Sequence, residues 1–271
     1  MATFEELTTF MQSKGFVYGP EPQIYGGVAG FYTYGPAGKL LKNRVENTIR
    51  KIFTKYDFWE VECPTVMPAI VWKASGHLDG FTDPMVKCSK CGAVYRVDKL
   101  IKDIDPNADV QKSDYLKFLE KKKAKCNCGS PLILDLKEHN LMMKTQVGLD
   151  LEAYNRPETA TTTYLPFPQY LNFFRDKLPF GVFQIGKAYW NEISPRQFII
   201  RMREFTQAEG QLFIFEKEKE TFGRFEKVSD KELPLLRAGS KDVEDVSLGD
   251  AIQKKYLKNK AYAWTLGVAY D

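Results

Sequence analysis

The residues best suited to chemistry lie close together between Gln184 and Glu209. Within this segment, the eighteen residues from 192 to 209 carry six charged side chains of both signs: Glu192, Arg196, Arg201, Arg203, Glu204 and Glu209. Residues two apart on a strand share a face, so we expect Arg201 and Arg203 to point one way and Glu204 the other. Two guanidinium groups on one face suit a polyphosphate. The alternative is a surface hairpin whose charges form cross-strand ion pairs.

A second group of reactive residues consists of two close pairs of cysteines: Cys88, Cys91, Cys126 and Cys128. Four thiolates suit a tetrahedral Zn²⁺, and Gly92 after the first pair allows the backbone to turn under the metal. The acidic N-terminus lacks the pattern of a signal peptide, so we expect a cytoplasmic, reducing location that favours metal over disulfides. The alternative is four reduced cysteines without a metal. Cys63 lies apart and reads as a small buried apolar residue.

Regular elements must hold these residues in place. Apolar residues at helical spacing predict an amphipathic helix over 39–56, and alternation predicts a strand over 59–67 that Pro64 distorts. Strands at 180–190 and 199–205, joined by a polar turn, predict an antiparallel hairpin. A helical pattern runs from Leu248 to Asp271. His77 and His139 form no site by spacing, and a lone histidine is more often a hydrogen-bonded structural residue than a catalyst.

Composition sets limits on the class of protein. The chain has 271 residues, of which 44% are apolar, which is enough for a large core in one or two domains. The net charge of +4 permits contact with phosphates but does not predict it. No apolar run reaches the ~18 residues of a membrane helix, so we expect no membrane contact.

Several segments in order resemble the glycyl-tRNA synthetases, a class II family of the archaeal and eukaryotic type. NEISPR at 191–196 and RMREFTQAE at 201–209 resemble motif 2, which is a strand–loop–strand. GFYTYGP at 30–36 and the following helix are similar to motif 1, with Pro64 at the motif 1 proline. ASGHLDGFTD at 74–83 resembles the Ser-Gly-His segment, and RPETA at 156–160 resembles the glycine-binding segment. The resemblance covers nearly the whole chain.

The resemblance implies a role for individual residues. It implies ATP contacts by Trp190, Asn191, Glu192, Ile200, Arg201, Met202, Arg203, Glu204 and Phe205. Among these, Glu192, Arg201 and Arg203 would act in catalysis, with Glu192 near the adenine amino group. It implies substrate contacts by Arg96, Glu158, Phe205, Thr206, Gln207, Ala208 and Glu209. Glu158 and Glu209 would hold the ammonium of glycine, whose lack of a side chain requires a pocket that excludes even a methyl group.

The implied reaction is the activation of glycine by ATP with Mg²⁺, followed by transfer to tRNA-Gly. The glycine carboxylate would attack the α-phosphate, and the enzyme would supply positioning and charge stabilisation. A homodimer is implied, because motif 1 builds the dimer interface in class II enzymes. A zinc-ribbon insertion with a structural Zn²⁺ is also implied, and its Lys run at 121–123 would meet the tRNA acceptor stem.

The chain departs from the family pattern in two ways. Trp190 stands where the family has the arginine that binds the α-phosphate. Activation would be impaired, or Arg201 or Arg203 would substitute, or Trp190 would simply pack under the site. No segment resembling motif 3 or the anticodon-binding domain follows Glu209. We therefore expect an N-terminal fragment, half of a split enzyme whose second chain supplies motif 3, or a truncated relative.

Two other functions compete with a glycine–tRNA ligase. One is a non-catalytic synthetase-like subunit that binds nucleic acid, as the resemblance of the processivity subunit of mitochondrial DNA polymerase to this family illustrates. The other is a zinc-ribbon nucleic-acid-binding protein, which would not explain the hairpin. The expected fold is α+β, a class II synthetase-like antiparallel sheet flanked by helices with a small zinc-ribbon insertion. The predicted divisions are 1–85, 86–131 and 132–271, the first and last forming the catalytic domain.

Overall fold

The computed structural model describes residues 3–193, 195 and 197–271. Its α-helices are α1 (Phe4–Ser13), α2 (Pro36–Lys55), α3 (Ala69–Ala74), α4 (His77–Gly80), α5 (Val97–Ile104), α6 (Tyr115–Lys121), α7 (Ala160–Tyr164), α8 (Phe167–Phe173), α9 (Leu248–Gln253) and α10 (Lys260–Tyr270). Its strands are β1 (Val17–Tyr18), β2 (Thr33–Tyr34), β3 (Phe58–Glu60), β4 (Val66–Pro68), β5 (Thr82–Cys88), β6 (Val94–Arg96), β7 (Leu132–Asn140), β8 (Met143–Val147), β9 (Leu151–Asn155), β10 (Phe180–Tyr189), β11 (Glu204–Phe213), β12 (Glu232–Leu236) and β13 (Val243–Ser247). The mixed α+β class is thus confirmed.

The central sheet is built on a long hairpin. Strands β10 and β11 pair antiparallel over their full length, from Phe180 opposite Phe213 to Tyr189 opposite Glu204. Strand β3 pairs with β10 in parallel, which the predicted all-antiparallel sheet did not include. The predicted strand over 59–67 divides at Pro64, since β3 joins β10 whereas β4 joins the separate sheet β4-β9-β8. A proline lacks the N–H that a continuous ladder needs, which accounts for the division.

One face of the hairpin forms the main core. Phe183 is fully buried and stacks on Phe53 of α2 with ring centroids 4.9 Å apart. Trp264 of α10 stacks on Phe58 at 5.7 Å and closes the same core from the other side. A Cβ on Gly210 would lie 2.4 Å from the Phe53 ring, so the helix can approach β11 only at a glycine. Each buried aromatic stabilises this arrangement by about 1.5–3 kcal/mol.

The cysteine-bearing segment has a core of its own. Strands β6, β5 and β7 form a sheet over 82–140, and α5 and α6 pack against it through Val97, Ile101 and Leu119. The predicted boundaries of the insertion, 86 and 131, fall within β5 and just before β7. The division of the chain into three parts remains a prediction. Within the described residues, no helix has the length and apolar character needed to cross a membrane.

Candidate functional site

The face of the hairpin opposite α2 carries most of the predicted substrate residues. Cross-strand partners share a face, so Gln184 lies beside Glu209, Gly186 beside Gln207, and Ala188 beside Phe205. Thr206 and Ala208 pair with Lys187 and Ile185, so their side chains point to the other face. The structure therefore brings Phe205, Gln207 and Glu209 together, and it does not bring the side chains of Thr206 and Ala208 to them.

Arg156 fixes the loop that covers this face. Its guanidinium is 2% exposed and donates to Lys187 O at 2.7 Å, Gln184 Oε1 at 2.9 Å and Cys63 O at 3.0 Å. A Cβ on Gly186 would lie 2.2 Å from Arg156 Nη2, so β10 must carry glycine there. Burial lowers the pKa of Arg156. Arg156 donates to backbone oxygens of β10 and of the segment that contains Cys63. These bonds hold the following residues, 157–159, over the hairpin.

Threonine hydroxyls hold the two predicted glycine-binding carboxylates. Glu158 Oε1 accepts from Thr161 Oγ1 at 2.7 Å, and Glu209 Oε2 accepts from Thr159 Oγ1 at 2.7 Å. The pKa of the Tyr164 phenol is raised, first by burial and then by the charges of Glu209 and Glu158. Because the charges of both carboxylates raise the pKa of the same phenol, both carboxylates lie near Tyr164. Both carboxylates are held by neutral hydroxyl donors, an arrangement that suits an ammonium ligand.

Trp190 forms an aromatic wall beside these carboxylates. Its ring meets Phe81 and Phe205 edge to face, each with centroids 5.5 Å apart. Its indole Nε1–H donates to Pro157 O at 2.7 Å, so the only polar hydrogen of the side chain is occupied by the loop. Trp190 therefore packs under the site and offers no donor to a phosphate.

The residues after the turn differ from the prediction. A short 3-10 helix spans Phe198–Ile200, and β11 begins only at Glu204, so the predicted strand over 199–205 is wrong except at its end. Arg203 is shared between two segments: its carbonyl accepts from Trp190 N–H at 2.9 Å, whereas its own N–H donates to Gly30 O at 2.8 Å. Its Nη1 donates to Ala29 O and its Nε to Glu192 O, both at 2.8 Å. Three donors of Arg203, its backbone N–H, Nη1 and Nε, are therefore occupied by backbone oxygens.

Glu192 and Arg201 form a buried ion pair. Arg201 Nε lies 3.0 Å from Glu192 Oε1, and the Glu192 side chain is 5% exposed. The Arg201 side chain is 27% exposed, bonds to Glu192 through Nε, and also lines the adjoining cavity. Glu204 instead pairs with Lys187 at 2.8 Å on the α2 face, which agrees with the expected opposite direction and is a cross-strand ion pair.

The other predicted nucleotide residues surround this pair. Asn191 is held by its backbone, with its N–H donating to Leu141 O at 2.8 Å and its carbonyl 2.7 Å from His139 Nε2. Ile200 is largely exposed, and Met202 lines the cavity next to Arg201. Arg196, also expected here, lies outside the described residues.

Two cations from the cysteine-bearing segment reach the same region. Arg96 is held by Asp98 through two contacts of 2.7 Å and by Asp83 at 3.1 Å, and its pKa is raised chiefly by Asp98. Lys99 on α5 lines the cavity with Arg201 and Glu192. The pKa of Lys99 is lowered by burial and then by the charges of Arg201 and Arg96. The sequence analysis did not include Lys99. Lys99 follows Arg96 by three residues at the start of α5, and this spacing indicates that the two side chains lie on one side of the helix.

The cavity has a volume of about 830 Å³, within the range of small-molecule sites. It runs along the hairpin from Trp190, Glu192, Arg201 and Lys99 toward apolar residues of α2, including Leu41 and Val45. Its polar end can therefore meet charged groups of a ligand, and its apolar end can bury a ring or another uncharged part.

All four paired cysteines meet, as the spacing predicts. Their Sγ atoms lie within 4.8 Å of one another, with Cys91–Cys126 at 3.4 Å and Cys88–Cys128 at 3.6 Å. Ligands 2.3 Å from a tetrahedral Zn²⁺ are about 3.8 Å apart, so the four sulfurs fit such an ion. Hydrogen bonds from Ser130 lower the pKa of Cys128 to about 6, which favours the thiolate that a metal requires. Cys63 is elsewhere, buried near Tyr170, as expected.

No protein-family model matches the chain. Among solved structures, the RNA binding domain of threonyl-tRNA synthetase from Cryptosporidium parvum Iowa II superposes with a TM-score of 0.50, over 80% of this chain and 39% of that one. At 17% identity this likeness concerns the fold alone, which is that of a tRNA synthetase domain.

Sequence similarity is more specific. Glycine–tRNA ligase from Methanococcus maripaludis strain C6 is 41% identical over 99% of this chain. The ligase from Methanothrix thermoacetophila is 39% identical over 100% of the chain, and that from Pyrococcus furiosus is 42% identical over 96%. The chain is thus homologous to the archaeal glycine–tRNA ligases, which confirms the resemblance. It spans about half the length of these curated relatives, from 47% to 49%.

Proposed function

We propose that this chain is the amino-acid- and ATP-binding portion of a class II glycine–tRNA ligase. Homology over nearly the whole chain supports this proposal. The observation that carries it is the pair of carboxylates, Glu158 and Glu209, that the threonines orient on one face of the hairpin. An ammonium group of a small ligand is what such a pair would bind.

Glycine would be selected by charge and by lack of space. Glu158 and Glu209 would pair with its ammonium, while Trp190 and Phe205 would form the wall that leaves no room for a side chain. A polar group left without its partner in such a site costs about 1–3 kcal/mol, so an amine-free analogue should bind poorly.

ATP would occupy only the polar end of the cavity, beside Trp190 and Glu192, because the remainder of the cavity lies on the α2 face of the hairpin, where Thr206 and Ala208 line it. In this proposal the Glu192 carboxylate accepts from the adenine amino group, and Arg201 and Lys99 face the phosphates. ATP would enter with Mg²⁺, which supplies positive charge to the phosphate oxygens. A glycine carboxylate oxygen would attack the α-phosphorus, the bond to the β-phosphate oxygen would break, and pyrophosphate would leave with its electron pair. The protein's part is to hold both reactants in line and to balance charge.

The four cysteines would hold a structural Zn²⁺. The sulfur positions fit the ion, and Cys88 and Cys126 also belong to the small core of the insertion. A closed four-thiolate site leaves no position for a substrate, so this metal would stabilise the fold of the insertion. The Lys run at 121–123 lies at the end of α6, where we propose that it meets the acceptor stem of tRNA-Gly.

A homodimer is the proposed assembly. Helix α1 buries none of its residues and α2 buries only Gly38, while Leu40 and Leu41 are 66% and 55% exposed. Apolar faces of this kind are covered in a stable assembly. We propose that a second chain or further sequence, corresponding to the part of the relatives that this chain does not span, would complete the nucleotide site.

A non-catalytic synthetase-like subunit is the second candidate, and Trp190 favours it. The indole N–H is tied to Pro157, and Arg203 is tied to backbone oxygens, so neither replaces the family's α-phosphate arginine. Among the described residues, the cations that line the cavity are Arg201 and Lys99 at its polar end and Lys42 on α2, which pairs with Glu46.

Glycine-dependent exchange of pyrophosphate into ATP discriminates the two functions. We expect weak exchange by the natural chain and an increase of about 10²–10³ in Trp190→Arg, because one well-placed donor to developing charge is worth about that much. Trp190→Phe is the matched control, since it keeps an aromatic ring without adding a charge. Equilibrium binding of glycine and ATP should accompany the assay. If neither ligand binds to either form, the enzyme proposal is wrong and the second candidate stands.

A further inference from the structure

Tyr95 contacts the cysteine cluster but has no part in the function above. Its hydroxyl oxygen lies 3.1 Å from Cys126 Sγ and accepts from the backbone N–H of Asn127 at 3.2 Å. Its ring packs against the small core that also contains Cys88 and Cys126. Tyr95 therefore holds the segment that carries the second cysteine pair against β6.

The contact between Tyr95 and Cys126 has a fixed direction only when the sulfur is a metal ligand. In the absence of a metal, either the hydroxyl or the thiol can donate. A cysteine that binds a metal is a thiolate without a hydrogen, so the hydroxyl must then donate to the sulfur. The backbone N–H of Cys128 donates to the same sulfur at 3.5 Å. Such hydrogen bonds from residues outside the ligand set orient a ligand and stabilise its charge.

Arg96 follows Tyr95 directly on β6. Neighbouring residues of a strand point to opposite faces, so the Tyr95 ring faces the cysteines while the Arg96 side chain extends to the other side. There Arg96 is held by Asp83 at 3.1 Å and by Asp98 at 2.7 Å. A displacement of β6 relative to Cys126 therefore displaces Arg96 as well.

Helix α5 depends on the same small core. Its buried residues Val97 and Ile101 lie in one cluster with Cys88 and Cys126. Lys99 is two residues from each of them, so it points away from this core, and it lines the cavity. Displacement of either cysteine thus affects the helix that brings Lys99 to the cavity.

Resting on the proposed function, we infer that Tyr95 is a positioning residue that holds the metal-bound sulfur of Cys126 and couples Zn²⁺ occupancy to ATP binding at the polar end of the cavity. The two cysteine pairs, once joined by the ion, fix β6 through the Tyr95 hydroxyl. Strand β6 and the core then fix Arg96 and Lys99. By reciprocity, ATP strengthens Zn²⁺ binding by the same factor by which Zn²⁺ strengthens ATP binding.

Tyr95→Phe tests the contact with the metal ligand, because it removes only the hydroxyl. We expect the Kd for Zn²⁺, measured by competition with a chromophoric chelator, to rise about tenfold or more. With Co²⁺ as a probe, the absorption bands of thiolate-to-metal charge transfer should move to longer wavelength, since the sulfur loses a hydrogen-bond donor. Tyr115→Phe is the matched control: Tyr115 packs against the same core, and within the described residues its hydroxyl makes no hydrogen bond. Equal Zn²⁺ affinities of Tyr95→Phe and Tyr115→Phe would overturn the inference.

The Kd for ATP with Mg²⁺ measures the coupling. The natural chain with one equivalent of Zn²⁺ should bind ATP about tenfold more tightly than the metal-free chain, which is within the usual range for coupled sites. With the same equivalent of Zn²⁺, Tyr95→Phe should bind ATP at least about twofold less tightly than Tyr115→Phe. This second comparison is valid even where the metal-free segment unfolds. The Kd for glycine should be the same in both variants, because Glu158 and Glu209 lie outside the cysteine-bearing segment.

The outcomes separate this inference from the proposed function. Equal ATP affinities of the two zinc-loaded variants would refute the coupling while leaving ATP binding intact. A parallel loss of ATP and glycine affinity in Tyr95→Phe would show a general structural defect and would also refute it. An absence of saturable ATP binding by the zinc-loaded natural chain would instead refute the proposed function and, with it, the coupling.

Discussion

Replacing Arg156 by methionine should destabilise the protein strongly. The substitution leaves Lys187 O, Gln184 Oε1 and Cys63 O without their donor, in a place where the side chain is 2% exposed. Each buried acceptor without a partner costs about 1–3 kcal/mol. Relief from burying the guanidinium offsets part of this sum, so we expect a loss of about 3–5 kcal/mol, in line with other broken buried charge networks. Against a typical stability of about 5–15 kcal/mol, that is a large fraction.

Urea unfolding followed by tryptophan fluorescence measures this loss. Gly186→Ala should act in the same direction by pushing Arg156 Nη2, 2.2 Å from the new Cβ, out of place. Lys144→Gln is the matched control: it removes a cation whose ion pair with Glu152 is largely exposed, and it should leave the free energy of unfolding almost unchanged. Glycine affinity should fall together with stability in both Arg156→Met and Gly186→Ala, because Glu158 loses its support. A loss below about 1 kcal/mol for Arg156→Met would refute the reasoning.

Three further outcomes are expected. Lys99→Gln should raise the Kd for ATP about tenfold, a loss of about 1.4 kcal/mol, and leave glycine affinity unchanged, whereas Lys99→Arg should retain ATP affinity; an unchanged Kd for ATP in Lys99→Gln would contradict a role at the phosphates. The chain should bind one Zn²⁺ and lose it in Cys91→Ser but not in Cys63→Ser, as metal analysis after dialysis would show. Leu40→Glu should convert a dimer to monomers in sedimentation equilibrium, and a natural chain that is monomeric at micromolar concentration would disprove the assembly.

The elements around the hairpin could largely be predicted because local signals determined them. The amphipathic pattern over 39–56 corresponds to α2, and the apolar run at 180–190 corresponds to β10. The start of β11 could not be predicted, because it depends on contacts that no local pattern encodes. The Arg203 side chain donates to the carbonyl of Ala29, which is distant in the sequence, and to the carbonyl of Glu192, across the turn. The parallel pairing of β3 with β10 likewise depends on a contact between distant segments.

The residues of the candidate site also divide into those that local sequence could predict and those that depend on distant contacts. The four cysteines could be predicted as a group because their chemistry admits few uses and their spacing is short. Glu158 and Glu209 were expected from the resemblance, and the structure brings them to one neighbourhood. The contact between His77 and Glu158 follows from packing of the loop after Arg156 against α4, which no local pattern encodes. The side chains of Thr206 and Gln207 point to opposite faces because of the register between β10 and β11, which the structure reveals.

The cysteine-bearing segment over 82–140 begins and ends at one place in the fold. Thr82 and Asn140 are cross-strand partners at the far end of β5 and β7, so the chain departs and returns at neighbouring positions. With its own core, such a module can be gained, lost or exchanged during evolution by a single event, and a short turn suffices to close the gap. Because α5 brings Lys99 to the cavity, exchange of the module would also replace a charged group of that cavity. One recombination event could therefore alter ligand preference while the hairpin and its carboxylates stay unchanged.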